Sequence, residues 1–227
     1  VTELSAADRQ RILQDARKAG IGISGIHWVL AHTEGLHVNH PDASIRTKTA
    51  QYFCDLVDFC ADIGGKSMVI GSPKQRQILE GVTPQQAWTW AIETFRVAVN
   101  RAETRDVTLC FEPLAPSETN FINTAAEAIR FVKEVPSPNF KIILDVKAMS
   151  SEAKTIPEII RESATQFAYF HANDRNLKGP GFGDVDFVPI ANALREVNYN
   201  GVVSVEVFSF EEGPEIIAKQ SLAYLHQ

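Results

Sequence analysis

Four acid or imidazole residues stand at the ends of four apolar runs. Glu112 closes VTLCFEP, Asp145 closes FKIILDV, His171 lies late in FAYFHAN, and Glu206 lies late in VVSVEVF. An apolar run has a physical cost in carrying a carboxylate near its buried end, and a cation or a hydrogen-bonded proton is the usual compensation. Three carboxylates brought together would repel one another, and a divalent ion removes that repulsion. Three oxygens with one imidazole nitrogen suit Mn²⁺, Mg²⁺ or Co²⁺ better than a thiol-rich zinc site does. Any one of these residues alone is as readily a structural polar group at a strand end, so the argument rests on the set.

Hydrophobic period gives the elements that must position this set. Short runs rich in β-branched residues begin at Ile21, Lys66, Val107, Phe140, Phe167 and Val202, and read as strands. Amphipathic stretches near 5–19, 43–63, 84–103, 124–134, 156–163, 189–197 and 214–224 read as helices. Thr83 before Pro84, and Thr155 two residues before Pro157, place an N-cap hydroxyl beside a first-turn proline. Strand alternating with helix implies a parallel sheet. No strand is followed by a GxGxxG turn or a Walker A lysine, so an open nucleotide-binding sheet is disfavoured. A TIM (β/α)8 barrel leads, and its βα loops put strand-end side chains on one common face. Such a barrel needs eight strands and the chain opens in a helix. The expectation is one domain over residues 1–227 lacking the first strand, first helix and second strand.

Composition sets outer bounds. The 227 residues are 44% hydrophobic and 22% charged, with 22 Lys plus Arg against 28 Asp plus Glu. A formal charge of -6 does not favour nucleic acid or an anionic membrane as partner. Cys54, Cys60 and Cys110 are sparse, odd in number and without CxxC spacing, which fits a reducing compartment and buried small hydrophobes. The first twenty residues are charged and amphipathic, unlike a signal peptide, and no apolar run approaches the roughly 20 residues that span a bilayer. A cytoplasmic enzyme is the default expectation.

The segments CFEPL, ILDVK, FHANDRNLKGPGFGDVDF and SVEVF, with IHWVL and MVIGSPKQR, resemble the xylose-isomerase-like TIM barrels. The likeness is to the sugar phosphate isomerase/epimerase group, with ketose 3-epimerases and hydroxypyruvate isomerase as relatives, and it spans nearly the whole chain. It implies that Glu112, Asp145, His171 and Glu206 hold one divalent metal ion, Mn²⁺ first and Mg²⁺, Co²⁺ or Zn²⁺ as alternatives. It further implies that Glu112 and Glu206 are an acid/base pair acting on a small-molecule sugar, sugar acid or sugar phosphate through an enediolate at the metal. The implied activity is a sugar isomerase or epimerase, and homodimer and homotetramer both stay open. A lyase or dehydratase of the same fold is the nearest alternative. An abasic-site endonuclease needs more zinc ligands and a basic groove, and a non-catalytic sugar-binding protein would hold metal without turnover.

Further residues fall around the expected mouth. Glu118, six residues after Glu112, resembles a family position that touches substrate oxygen. Ketose epimerases of the family carry histidine three residues after the metal aspartate; here that offset gives Ala148, which leaves Lys147 or an early histidine as replacement. Of the clustered His27, His32, His37 and His40, His27 and His32 are singled out to face the pocket, against a reading as ordinary loop histidines. Lys74 and Arg76 in GSPKQR are placed to meet an anionic group, or to be solvated. Asp174 reads as a partner behind the metal ligands or as a loop anchor, and Arg175 as a substrate-binding residue. Trp28 near the mouth could stack on a sugar face, whereas Trp88 and Trp90 on a helix read as packing residues.

Overall fold

Capping signals define where the chain turns helical. The computed structural model describes residues 3–227. Ser5, Thr83 and Thr124 each close a capping box at the start of α1 (Ala6–Lys18), α3 (Pro84–Arg105) and α4 (Ala125–Lys133). Asp42 caps α2 (Ala43–Asp62), with its side chain accepting from Ser44 N at 2.8 Å. Thr155 precedes α6 (Ile156–Glu162), and α8 (Pro214–Leu225) starts on its proline. The helix expected from residue 189 is α7 (Phe187–Glu196): it begins earlier because Asp186 takes the cap, accepting from Val188 N at 2.9 Å. A short α5 (Val146–Met149) and a 3₁₀ turn at Lys74–Arg76 were not foreseen, being shorter than hydrophobic periodicity can register.

Between the helices run β1 (Gly25–Ile26), β2 (Ser67–Ile70), β3 (Thr108–Phe111), β4 (Phe140–Asp145), β5 (Phe167–Ala172) and β6 (Val202–Val205). All pair in parallel and in sequence order, β1 to β6. These are six consecutive staves of a TIM barrel, rather than eight, among the described residues. The edge stave β1 is cut short where Trp28 enters a left-handed conformation at φ 55°. No helix among the described residues is long and apolar enough to cross a membrane.

The pleat divides the apolar residues into two cores. Leu109, Phe111, Ile142, Leu144 and Phe170 point outward and pack with Phe53, Phe95 and Phe131 of the helices. Val69, Cys110, Ile143 and Tyr169 point inward and fill the lumen. Side chains two residues apart share a face of a strand. Glu112 therefore stands one pleat above Cys110, Asp145 above Ile143 and His171 above Tyr169. One irregularity makes the alignment work: Ile142 pairs with Phe167, but Ile143 pairs with Tyr169, so β5 carries one extra residue. That bulge brings Asp145 opposite His171 in the register.

Candidate metal centre

Glu112 follows β3, Asp145 ends β4, His171 lies near the end of β5 and Glu206 follows β6, and the structure brings all four together. Their ligand atoms lie within 4.8 Å of one another, and all four side chains are buried. Glu112 N donates to Ile70 O at 3.1 Å and Glu206 N to Ala172 O at 3.2 Å, so both glutamates continue the ladders of their staves. Gly71, after β2, lies against Glu112; a Cβ there would overlap Glu112 Oε2. Only glycine leaves the carboxylate its place.

His171 Nδ1 lies 3.1 Å from Glu206 Oε2, 3.7 Å from Asp145 Oδ2 and 3.9 Å from Glu112 Oε1. Close as these are, none is aligned for a hydrogen bond, and Nδ1 is a buried nitrogen without a hydrogen-bond partner. An orphaned imidazole nitrogen facing three carboxylates is the donor set of a hard divalent cation, so the residues fit one. The electrostatics agree. Burial and then the charge of Asp145 push the Glu112 carboxyl up to about 8. Burial works to lower His171, but the carboxylates of Asp145, Glu206 and Glu112 outweigh it and raise it to about 10. Burial likewise opposes ionisation of Glu206, yet the imidazoles of His171 and His27 hold it well below the usual carboxylate range. Without a cation, protons do the work of neutralising this cluster.

Asn173, to which the sequence assigns no role, is tied to the cluster by the structure. Wholly buried, it donates from Nδ2 to Asp145 Oδ2 at 2.6 Å and to Glu206 Oε2 at 3.3 Å, while its Oδ1 accepts from Lys147 N at 2.8 Å. It lies two residues after His171, on the same face of the chain, and that parity was the available signal. Asp145 Oδ1 accepts from Ala148 N at 2.7 Å, so Ala148 meets the cluster through a backbone donor.

A cavity of about 340 Å³ opens onto the cluster, lined among others by Glu112, Glu206, Glu118, Lys147, His32 and Phe208. Glu112 and Glu206 face it; Asp145 and His171 lie behind them. Lys147 Nζ donates to Glu118 Oε1 at 2.9 Å and sits 4.4 Å from the Phe208 ring centroid. Trp28 stacks on the other side of the mouth with Phe208, ring centroids 6.0 Å apart and planes at 22°. His27 Nδ1 is 3.4 Å from Glu206 Oε1, and Lys74 is an exposed lining residue.

Arg76, Asp174 and Arg175 stand off the cavity that faces the carboxylates. Arg76 meets no ligand space: it is 2% exposed and donates from Nη1 to Glu112 O at 2.6 Å, with its guanidinium 4.9 Å from the Phe111 ring. Burial pushes it down to about 10. Asp174 takes the second of its two expected roles, loop anchor: its Oδ2 accepts from Val185 N at 2.9 Å and its N–H donates to Lys178 O at 2.9 Å. Arg175 is exposed and lines a neighbouring cavity, not the one facing the carboxylates.

Residues 1–227 match the xylose isomerase-like TIM barrel family along their whole length. The chain belongs to that family. It is 30% identical over 189 residues to the D-psicose 3-epimerase of Ruminiclostridium cellulolyticum, a match covering 82% of this chain and 64% of that protein. It is 28% identical over 185 residues to the L-ribulose 3-epimerase of Mesorhizobium japonicum, covering 81% and 62%. The chain thus spans less than two thirds of the length of either relative. The crystal structure of D-psicose 3-epimerase with D-tagatose from Clostridium cellulolyticum H10 superposes with a TM-score of 0.85 at 24% identity, covering 98% of this chain and 83% of that one. The fold is common to both.

Proposed function

We propose that this chain holds one divalent cation, Mn²⁺ in first place, through Glu112, Asp145, His171 and Glu206, and epimerises a ketose or related keto-sugar. The observation that carries the reading is that Glu112 and Glu206, alone of the four, line the cavity in front of the cluster. When bound, the cation supplies Lewis acidity that makes a C–H beside a carbonyl removable by a carboxylate. Glu112 reaches in from the end of β3 and Glu206 from the end of β6, three staves apart. One carboxylate takes the proton from one side of the substrate carbon, and the other returns a proton to the opposite side, which inverts that centre. The Glu118 and Lys147 pair offers an acceptor and donors to sugar hydroxyls, while Trp28 and Phe208 offer apolar ring faces at the mouth. Both relatives described above are named 3-epimerases, which supports epimerisation over transfer to the neighbouring carbon.

Deuterium wash-in from D₂O on a panel of ketoses, with Mn²⁺ present, tests this. The wild-type chain is expected to exchange one proton beside the carbonyl without losing water, whereas a lyase yields an unsaturated product. Glu206→Gln is expected to lower exchange by about 10²–10⁴-fold with the circular dichroism unchanged. Undiminished exchange in that variant removes Glu206 from the mechanism.

A further inference from the structure

Glu118, Lys147 and Phe208 line the cavity that faces the carboxylates, and the same three residues line a second cavity of about 570 Å³ on their other side. Phe208, Lys147 and Glu118 therefore form a rim common to an inner and an outer chamber. It is firmly held. Phe208 N and Ser209 N both donate to Leu177 O, at 2.8 and 3.0 Å, which ties the loop after β6 to the loop after β5. Glu118 Oε2 accepts from Ala115 N at 3.3 Å, fixing the other end of the rim.

The outer chamber has its own chemistry. Ala115, Ser117, Ser150, Ser151, Arg175 and Leu177 complete its lining. Ser150 and Ser151 spend their protons on Val146 O and Ala148 O, each at 2.7 Å, so their oxygens remain as acceptors. Arg175 offers only donors, Glu118 only acceptors, and Phe208 and Leu177 an apolar surface. Because Lys147 is neutralised by Glu118, a dianion entering here would lie against a carboxylate with one exposed arginine as its support. A neutral ring with C–H faces and a rim of hydroxyls meets donors, acceptors and apolar surface together.

We infer that the outer chamber is a second subsite of the same centre, and that the substrate is a ketose carrying a further hydroxylated ring at the end remote from its carbonyl. This rests on the ketose reading above and specifies its substrate class. The test compares D-fructose, D-fructose 6-phosphate and isomaltulose, which is fructose bearing glucose at its far end, by calorimetry on the Mn²⁺-loaded chain. Isomaltulose is expected to bind at least tenfold more tightly than D-fructose, and Ser117→Trp, which fills the outer chamber from an exposed position, to erase that advantage while D-fructose binding stays within twofold. Independently of any variant, bound Mn²⁺ should relax the ketose carbons of isomaltulose more strongly than its glucosyl carbons. Equal affinities, loss of both sugars alike in Ser117→Trp, stronger relaxation of the glucosyl ring, or preference for the phosphate each overturns the subsite. If D-fructose binds and exchanges but isomaltulose is no tighter, the subsite alone falls; if no ketose binds, the ketose reading falls with it.

Discussion

Replacing Asn173 by alanine should weaken metal binding without touching any metal ligand. The amide donates to Asp145 Oδ2 at 2.6 Å and to Glu206 Oε2 at 3.3 Å, and accepts from Lys147 N at 2.8 Å, at a position with no solvent access. The first bond is short and charge-assisted, a class that contributes about 1.5–3 kcal/mol; the second is near the geometric limit and adds little. The alanine variant frees both carboxylates to turn away from the direction His171 Nδ1 faces, and it leaves the Lys147 N–H without its partner. If the main bond is what orients Asp145, the loss appears in metal affinity. At 1.4 kcal/mol per factor of ten, 1.5–3 kcal/mol corresponds to roughly 10–100-fold. That equals the range found for residues that hold metal ligands from behind. Titration calorimetry with Mn²⁺, on protein whose circular dichroism matches wild type, reads this directly. An affinity within twofold of wild type would refute the reasoning, because a buried carboxylate would then keep its orientation without its strongest donor.

Metal affinity should rise with pH. Glu112, pushed up to about 8, and His171, raised to about 10, both hold protons at pH 7 in the metal-free chain, and a cation must displace them; calorimetry in buffers of different ionisation enthalpy should therefore show proton release, and its absence at pH 7 contradicts the assignment. The linked stability has a definite sign: the unfolded chain releases these protons near 4.5 and 6.5, the folded chain only near 8 and 10, so this cluster's contribution declines as pH rises across that window. Thermal melts of metal-free protein should fall over that range, and saturating Mn²⁺ should flatten the dependence. Gly71→Ala places a Cβ on Glu112 Oε2 and should lower both Mn²⁺ affinity and exchange by about 10–100-fold, since the carboxylate must shift to make room; normal metal binding in a folded variant would show that Glu112 has room to move. A metal concentration about 100 times its dissociation constant should stabilise the chain by about 2.7 kcal/mol, read as a melting shift that EDTA reverses.

What the sequence made legible follows the periodicities of the chain. The four ligands could be found because each ends an apolar run, and strand parity carries an inward residue such as Cys110, Ile143 or Tyr169 to a ligand two positions on. Asn173 obeys the same rule relative to His171, yet an amide carries no charge and so imposes no visible cost on an apolar strand. Arg76 misled for the opposite reason: a cation in a loop after a strand suggests an anion, and only the packing shows it turned inward onto Glu112 O and the Phe111 ring. Helix α5 and the turn at Lys74–Arg76 span too few residues to carry a period, and the extra residue in β5 leaves no trace in composition although it sets Asp145 opposite His171. The meeting of Trp28 with Phe208, and of Lys147 with Glu118, depends on how the sheet curls between the β1 and β6 edges. Strand-end chemistry is written locally, whereas the contacts across the mouth join loops 29 to 180 residues apart and exist only once the staves have curled around the lumen.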